Sequence, residues 1–207
     1  MIFVGDCHGK IKRFLKILEK YPDKKVLQVG DMGCGFRGVR LPKLADGHAW
    51  FAGNHDCPSL CAAHPNNVGR FGIWENVFFV SGGFSIDAAY RVPGVTWWAD
   101  EQLNREEMEE ALDLYVKTKP RVVATHDAPI SLYPQLMAAD PRGALRGPLY
   151  ENNTALLFEA MFTAHQPEMW FFGHWHYPWS QKINGTQFRC LAELEAFELT
   201  EDSDTNQ

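Results

Sequence analysis

Ile2-Phe3-Val4-Gly5-Asp6-Cys7-His8 decides how the rest of the chain is read. Three large apolar residues in succession, two of them β-branched, suit a strand buried on both faces. A glycine then ends the run on an aspartate and, two residues later, a histidine. Four more apolar runs end on residue types that bind metals, three of them through a glycine. Val26-Leu27-Gln28-Val29 runs into Gly30-Asp31, and Ala49-Trp50-Phe51-Ala52 into Gly53-Asn54-His55-Asp56. Val122-Val123-Ala124 runs into Thr125-His126-Asp127, and Trp170-Phe171-Phe172 into Gly173-His174-Trp175-His176. Open α/β sheets gather their functional groups at the carboxyl ends of strands, so five such endings predict one polar rim.

Between these runs the pattern changes period. Ile11, Phe14, Leu15, Ile17 and Leu18 recur at helical spacing, which predicts an amphipathic helix over 10–21 stopped by Pro22-Asp23. Further helices are expected over 105–116 and 154–163, and another strand at Val77-Phe78-Phe79-Val80. The stretch 187–199 alternates apolar and polar side chains as half-buried strands do. Residues 129–153, rich in Pro, Gly and Arg, read as a long functional or disordered loop. No composition shift divides the chain, so residues 1–200 are expected to form a single domain with 201–207 as a frayed tail.

The 207 residues suffice for one core without covalent staples. Five cysteines, an odd number with no CxxC pair, fit a reducing compartment. The amino terminus reads as a strand and not as a signal peptide, and no apolar stretch approaches the ~20 residues of a membrane span. A cytoplasmic protein with no membrane partner is expected. A net charge of -6 argues against a general polyanion binder. Two bound dications would nevertheless make a phosphate-attracting cleft, because a bound ion is often the largest local charge in its site.

The rim residues supply seven oxygen or imidazole donors: Asp6, His8, Asp31, Asn54, His126, His174 and His176. Asp6 and His8 are two residues apart, as are His174 and His176, so in extended backbone each pair projects to one side. Hard oxygens mixed with imidazoles, without thiolate, suit manganese first and iron, zinc, cobalt or nickel besides. Seven donors exceed one tetrahedral site. Two ions about 3.5 to 4 Å apart, sharing a carboxylate, would use them all, as in two-metal phosphatases and nucleases.

The ordered elements DxH (Asp6-Cys7-His8), GD (Gly30-Asp31), GNHD (Gly53-Asn54-His55-Asp56), a lone His126 and GHxH (Gly173-His174-Trp175-His176) resemble the signature of the calcineurin-like metallophosphoesterases. The resemblance implies two mixed β-sheets packed as an α/β/β/α sandwich, with a dinuclear site at the strand rim. It implies that Asp6, His8, Asp31 and His176 hold one ion, that Asp31, Asn54, His126 and His174 hold the other, and that a hydroxide between them attacks phosphorus. His55 would then protonate the leaving oxygen as general acid, with Asp56 orienting its imidazole. One departure matters: Cys34 and Gly35 stand where the family's protein Ser/Thr phosphatases carry an acid and an arginine. That places the chain outside that branch and nearer the small, cap-less bacterial or phage type.

Arg37, two residues further on, is the candidate replacement for the missing phosphate-binding arginine, and Asn54 is also a substrate-binding candidate. Arg91 either binds substrate phosphate through its planar fork or pairs structurally with Asp87. Asp127 is read as positioning His126, Trp97-Trp98 as core or helix packing, and Arg142 and Arg146 as parts of a solvated loop. Cys7, Cys34 and Cys57 are read as small buried side chains, and His48, His64 and His165 as ordinary polar residues. The expected activity is hydrolysis of a small soluble phosphate mono- or diester. A nuclease acting on nucleic acid, and a non-catalytic scaffold that keeps the fold, are the alternatives.

Overall fold

The computed structural model describes residues 1–142 and 152–200. Its first sheet contains β1 (Ile2–Val4), β2 (Val26–Gln28), β3 (His48–Trp50) and β10 (Ala196–Glu198), in the order β10-β1-β2-β3. β1, β2 and β3 are parallel, and β10 runs antiparallel against β1. The second sheet contains β4 (Phe71–Trp74), β5 (Val77–Val80), β6 (Val122–Thr125), β7 (Met169–Phe172), β8 (Trp179–Ile183) and β9 (Thr186–Cys190), in the order β4-β5-β6-β7-β9-β8. Its four inner strands are parallel and its two edges antiparallel, so both sheets are mixed.

Alternation along each strand sorts the side chains into three cores. Phe3, Leu27, Ala49 and Phe51 from the first sheet meet Val77, Phe79, Ala124 and Phe171 from the second. There Phe3 stacks on Phe171 at 4.0 Å between ring centroids. Ile2, Val4, Val26 and Trp50 face the other way, onto Phe14 and Leu18 of α1 (Ile11–Leu18). Phe78, Val80, Val123, Trp170 and Phe172 cover the outer face of the second sheet, against α3 (Arg105–Thr118) and α5 (Asn153–Ala164). The layers are α/β/β/α. α3 starts on a capping box between Asn104 and Glu107 and stops where Lys119 turns left-handed, at φ 45°.

The five apolar runs are β1, β2, β3, β6 and β7, as their composition predicts, and the three expected helices form with shifted ends. Three elements lack the expected signal: the short α2 (Pro58–Ala62), the edge strand β4 and the polar edge strand β8. The expected 129–153 loop contains regular structure, a 3-10 turn at Ile130–Leu132 and α4 (Tyr133–Ala139), because Leu132, Tyr133 and Leu136 are buried in the outer core; 143–151 lie outside the described residues. Within 187–199, β9 and β10 belong to different sheets. Trp97 and Trp98 are half-buried in an irregular segment, not in a helix or the core. The 201–207 tail and Arg146 lie outside the described residues.

Candidate metal centre

The rim is built from the turns that follow β1, β2, β3, β6 and β7, so both sheets contribute. Four of the seven expected ligands have left-handed backbones: His8 (φ 47°), Asp31 (φ 56°), His174 (φ 64°) and His176 (φ 60°). A non-glycine residue there costs about 1–2 kcal/mol, and such strain collects at functional sites. The neighbouring glycines are demanded by crowding. A Cβ on Gly53 would lie 2.1 Å from Asp31 Oδ1 and 2.7 Å from His126 Nε2, and one on Gly173 would lie 2.0 Å from Asp6 Oδ1.

Donor atoms converge in two adjacent groups. In the first, His176 Nε2 lies 2.8 Å from Asp6 Oδ2 and 2.9 Å from His8 Nε2. His8 Nε2 is in turn 3.6 Å from Asp6 Oδ2 and 3.7 Å from Asp31 Oδ2. Donor atoms of Asp6, His8, Asp31 and His176 all fall within 4.8 Å of one another, close enough to hold one ion. In the second, Asn54 Oδ1 lies 3.0 Å from both His126 Nε2 and His174 Nδ1, and His126 Nε2 is 3.5 Å from Asp31 Oδ1. Asp31 therefore turns one oxygen to each group.

The His126 ring is set by the contact its other nitrogen makes. His126 Nδ1 faces the Val29 carbonyl at 2.9 Å, which leaves Nε2 pointing into the site. Asp127 does not position His126. Its Oδ2 lies 3.9 Å from His174 Nε2, and the carboxylate accepts hydrogen bonds from Trp175 Nε1 (3.0 Å), Asn152 Nδ2 (3.1 Å), Ala128 N (2.8 Å) and the Tyr133 hydroxyl. Arg142 is no free loop residue: it donates to the Trp175 carbonyl at 2.8 Å and braces the turn between His174 and His176.

The electrostatics follow from crowding acids and imidazoles in a buried place. Burial opposes ionisation of Asp6, but hydrogen bonds from His176 and His8 outweigh it and hold the carboxyl far below its usual range. Asp31 is likewise held well below its ordinary value, against burial, by the charges of His126 and His55. Burial also works against a charged His126, yet Asp31 and Asp6 raise it to about 10. A protonated His126 can donate from Nε2 to Asn54 Oδ1 at 3.0 Å.

His55 and Arg91 are brought together at the edge of this site. The His55 amide donates to Asp31 Oδ1 at 2.8 Å, and its ring packs edge-on to His8 at 5.2 Å. Arg91 Nη2 donates to His55 Nε2 at 2.6 Å, while its Nε pairs with Asp87 Oδ1 at 2.8 Å. Arg91 thus has Asp87 as a structural partner, as one of its two readings expects, and its guanidinium also reaches His55. Burial, and then the Arg91 charge, lower the His55 pKa against the pull of Asp31. Arg37 is exposed on the loop after β2.

Asp56 corrects a sequence expectation. Its carboxylate accepts the backbone N–H groups of Met32 (3.0 Å), Gly33 (2.7 Å), Cys34 (2.7 Å) and Gly53 (3.0 Å), so its oxygens are spent on amides and not on the His55 imidazole. It ties the turn carrying Asp31 to the turn carrying Asn54. Burial and the Asp31 charge push its carboxyl up to about 6, against the bonds from Gly53, Cys34 and Met32. Sequence reasoning also missed Ser85 and Glu101, which lie behind Asn54; a lone acid in an irregular segment gives no signal. The five cysteines are buried free thiols, and burial raises Cys7 to about 12, which leaves it inert.

The donor set fits divalent cations. Asp31 Oδ2 is a buried carboxylate oxygen with no hydrogen-bond partner among the described residues, an arrangement that is costly unless something positive meets it. A two-sheet sandwich whose rim gathers aspartates, an asparagine and imidazoles defines an α/β protein with a candidate metal centre. Residues 1–178 match the family model for calcineurin-like phosphoesterase, and the chain belongs to that family. Its members generally hydrolyse phosphate esters and typically bind two divalent metals. No curated protein matches the sequence. Among solved structures the chain is similar to one described as GAP50, the anchor in the inner membrane complex of Plasmodium, at 10% identity and a TM-score of 0.49, covering 93% of this chain and 71% of that one. Among the described residues no helix is long and apolar enough to cross a membrane.

Proposed function

We propose that this chain hydrolyses small soluble phosphate mono- or diesters at a pair of divalent cations, with manganese the first candidate. Asp6, His8, Asp31 and His176 would hold one cation, and Asp31, Asn54, His126 and His174 the other. The observation that carries the reading is Asp31, whose Oδ1 faces His126 at 3.5 Å and whose Oδ2 faces His8 at 3.7 Å. A carboxylate so placed between two donor groups suits a bridge. Bound cations of this kind supply Lewis acidity toward a phosphoryl group and acidify water.

The remaining work falls to His55 and Arg91. With Arg91 donating to its Nε2, the neutral His55 ring carries its proton on Nδ1. A phosphoryl oxygen accepts more strongly than an imidazole nitrogen, so substrate draws the guanidinium away while Asp87 keeps hold of its Nε. Freed of the guanidinium, Nε2 would take up a proton from solvent water, and the imidazolium would pass that proton to the leaving oxygen and return to the neutral ring. Arg91 would thus bind the phosphate and release the acid in one movement, and Asp56 would hold the two ligand-bearing turns in register.

The test is reconstitution of metal-free protein with Mn, Fe, Co, Ni or Zn, followed by metal analysis. Assays against p-nitrophenyl phosphate, bis-p-nitrophenyl phosphate, cyclic nucleotides and short oligonucleotides complete it. Two equivalents bound and metal-dependent release of product from a small ester are expected. Fewer than two equivalents, or no hydrolysis by the loaded protein, would overturn the proposal, and a preference for oligonucleotides would replace the small ester with a nucleic acid.

A further inference from the structure

Asn54 is the one candidate ligand with two nearly identical ends, of which only Oδ1 can meet a cation. Something must decide which end faces the site. Asn54 Nδ2 donates to Ser85 Oγ at 3.0 Å, Ser85 Oγ donates to Glu101 Oε2 at 2.6 Å, and Ser85 N donates to Glu101 Oε1 at 2.7 Å. All three residues are buried. We infer that Glu101, acting through Ser85, is a positioning residue that fixes the orientation of the Asn54 amide and so completes the second cation's ligands. The inference rests on the proposed function, in which Asn54 is such a ligand.

The argument is one of hydrogen-bond polarity. A serine hydroxyl has a single proton, and a carboxylate can only accept. Once Glu101 takes that proton, Ser85 has only lone pairs to offer Asn54. The amide must then present its NH2 end to Ser85, which turns Oδ1 toward His126 and His174. The turn between them leaves little slack: a Cβ on Gly82 would lie 2.3 Å from the Glu101 carbonyl oxygen, and one on Gly83 would lie 3.1 Å from His126 Cδ2 and 3.5 Å from Asn54 Cβ. Glu101 belongs to no strand or helix, and its two carboxylate oxygens both accept from Ser85. Burial pushes its carboxyl up to about 7, against the two bonds from Ser85, so the ionised form that can only accept is the one present above that pH, where the titration is run.

Glu101→Gln separates polarity from packing, because glutamine has the same shape but brings donors. Its NH2 donates to Ser85 Oγ, the Ser85 proton turns to Asn54, and the amide flips to put NH2 where the cation would sit. In calorimetric titration of the metal-free protein with Mn2+, wild type is expected to take up two equivalents. E101Q should hold one of them unchanged and the other about 10- to 100-fold more weakly, the usual scale for a group orienting a ligand. The exchange-coupled spin-resonance signal of a manganese pair should fall with it. In an Asn54→Asp background, where both ends are oxygens, E101Q should cause no loss. Ser85→Ala, which removes the relay, should weaken the same equivalent and serves if E101Q does not fold. Two wild-type affinities in E101Q or S85A would overturn the inference alone, as would an equal loss in the Asn54→Asp background, which marks Glu101 as mere packing. A wild-type protein that takes up only one equivalent would instead remove the two-cation reading, and this inference with it.

Discussion

Replacing Arg91 with methionine should raise the pKa of His55 in the metal-free protein. Arg91 Nη2 lies 2.6 Å from His55 Nε2, a bond open only to the neutral ring. A hydrogen bond involving a charged group contributes about 1.5–3 kcal/mol. Losing it should destabilise the neutral ring by the lower end of that range, because the His55 side chain is 27% exposed, and should move the titration upward. Asp31 and Asp87 stay behind and pull in the same direction. The stability consequence has a definite sign. The folded-state pKa of His55 is depressed, so the unfolded chain takes up the proton first as pH falls. Wild type therefore loses stability as pH drops through the ordinary imidazole value, and R91M should lose less. The assay is an NMR titration of the imidazole C–H signals, with His55→Gln for assignment. A His55 that titrates in R91M where it does in wild type, or lower, would refute both the polarity of the bond and the acid-release mechanism built on it.

Other perturbations test the rest of the site. Removing the imidazole in His55→Ala should leave both metals bound and lower turnover of an alkyl phosphate by roughly 100-fold, and undiminished turnover would remove His55 from the chemistry. Asp31→Asn should weaken both cations, by more than about 100-fold for a lost direct ligand, so metal analysis finding two tightly held equivalents would contradict the bridge. Gly53→Ala forces a Cβ to 2.1 Å from Asp31 Oδ1. It should cost about 1–3 kcal/mol in denaturant unfolding and abolish paired metal uptake, whereas a wild-type uptake curve would show the turn has slack. Because His126 is raised to about 10, cation binding near pH 8 should release protons, seen by calorimetry in buffers of different ionisation enthalpy, and affinity should climb with pH. The metal-free fold should lose the His126–Asp31 contribution as pH rises from the ordinary imidazole value toward 10; uptake without proton release would count against this protonation state.

The sequence by itself determined the strands that matter and the donors they carry. A donor atom is a matter of residue type, and an apolar strand closed by glycine is a strong local pattern in four of the five runs, so Asp6, His8, Asp31, Asn54, His126, His174 and His176, which the fold brings to one rim, could be read as candidates before any fold was known. The crowding at Gly53 and Gly173 shows why the glycines belong to that pattern. Hydrogen-bond partners were not legible, because adjacency along the chain is a poor guide to adjacency in space. Asp56 follows His55 directly, yet its carboxylate turns to amides of residues 32–34 and 53. Arg91 reaches His55 across 36 positions of sequence, and Glu101 stands behind Asn54 only because an irregular segment folds over Ser85. Tertiary structure alone decided these contacts: a side chain's chemistry names what it can bind, but only the packing of distant segments brings one partner within 3 Å rather than another.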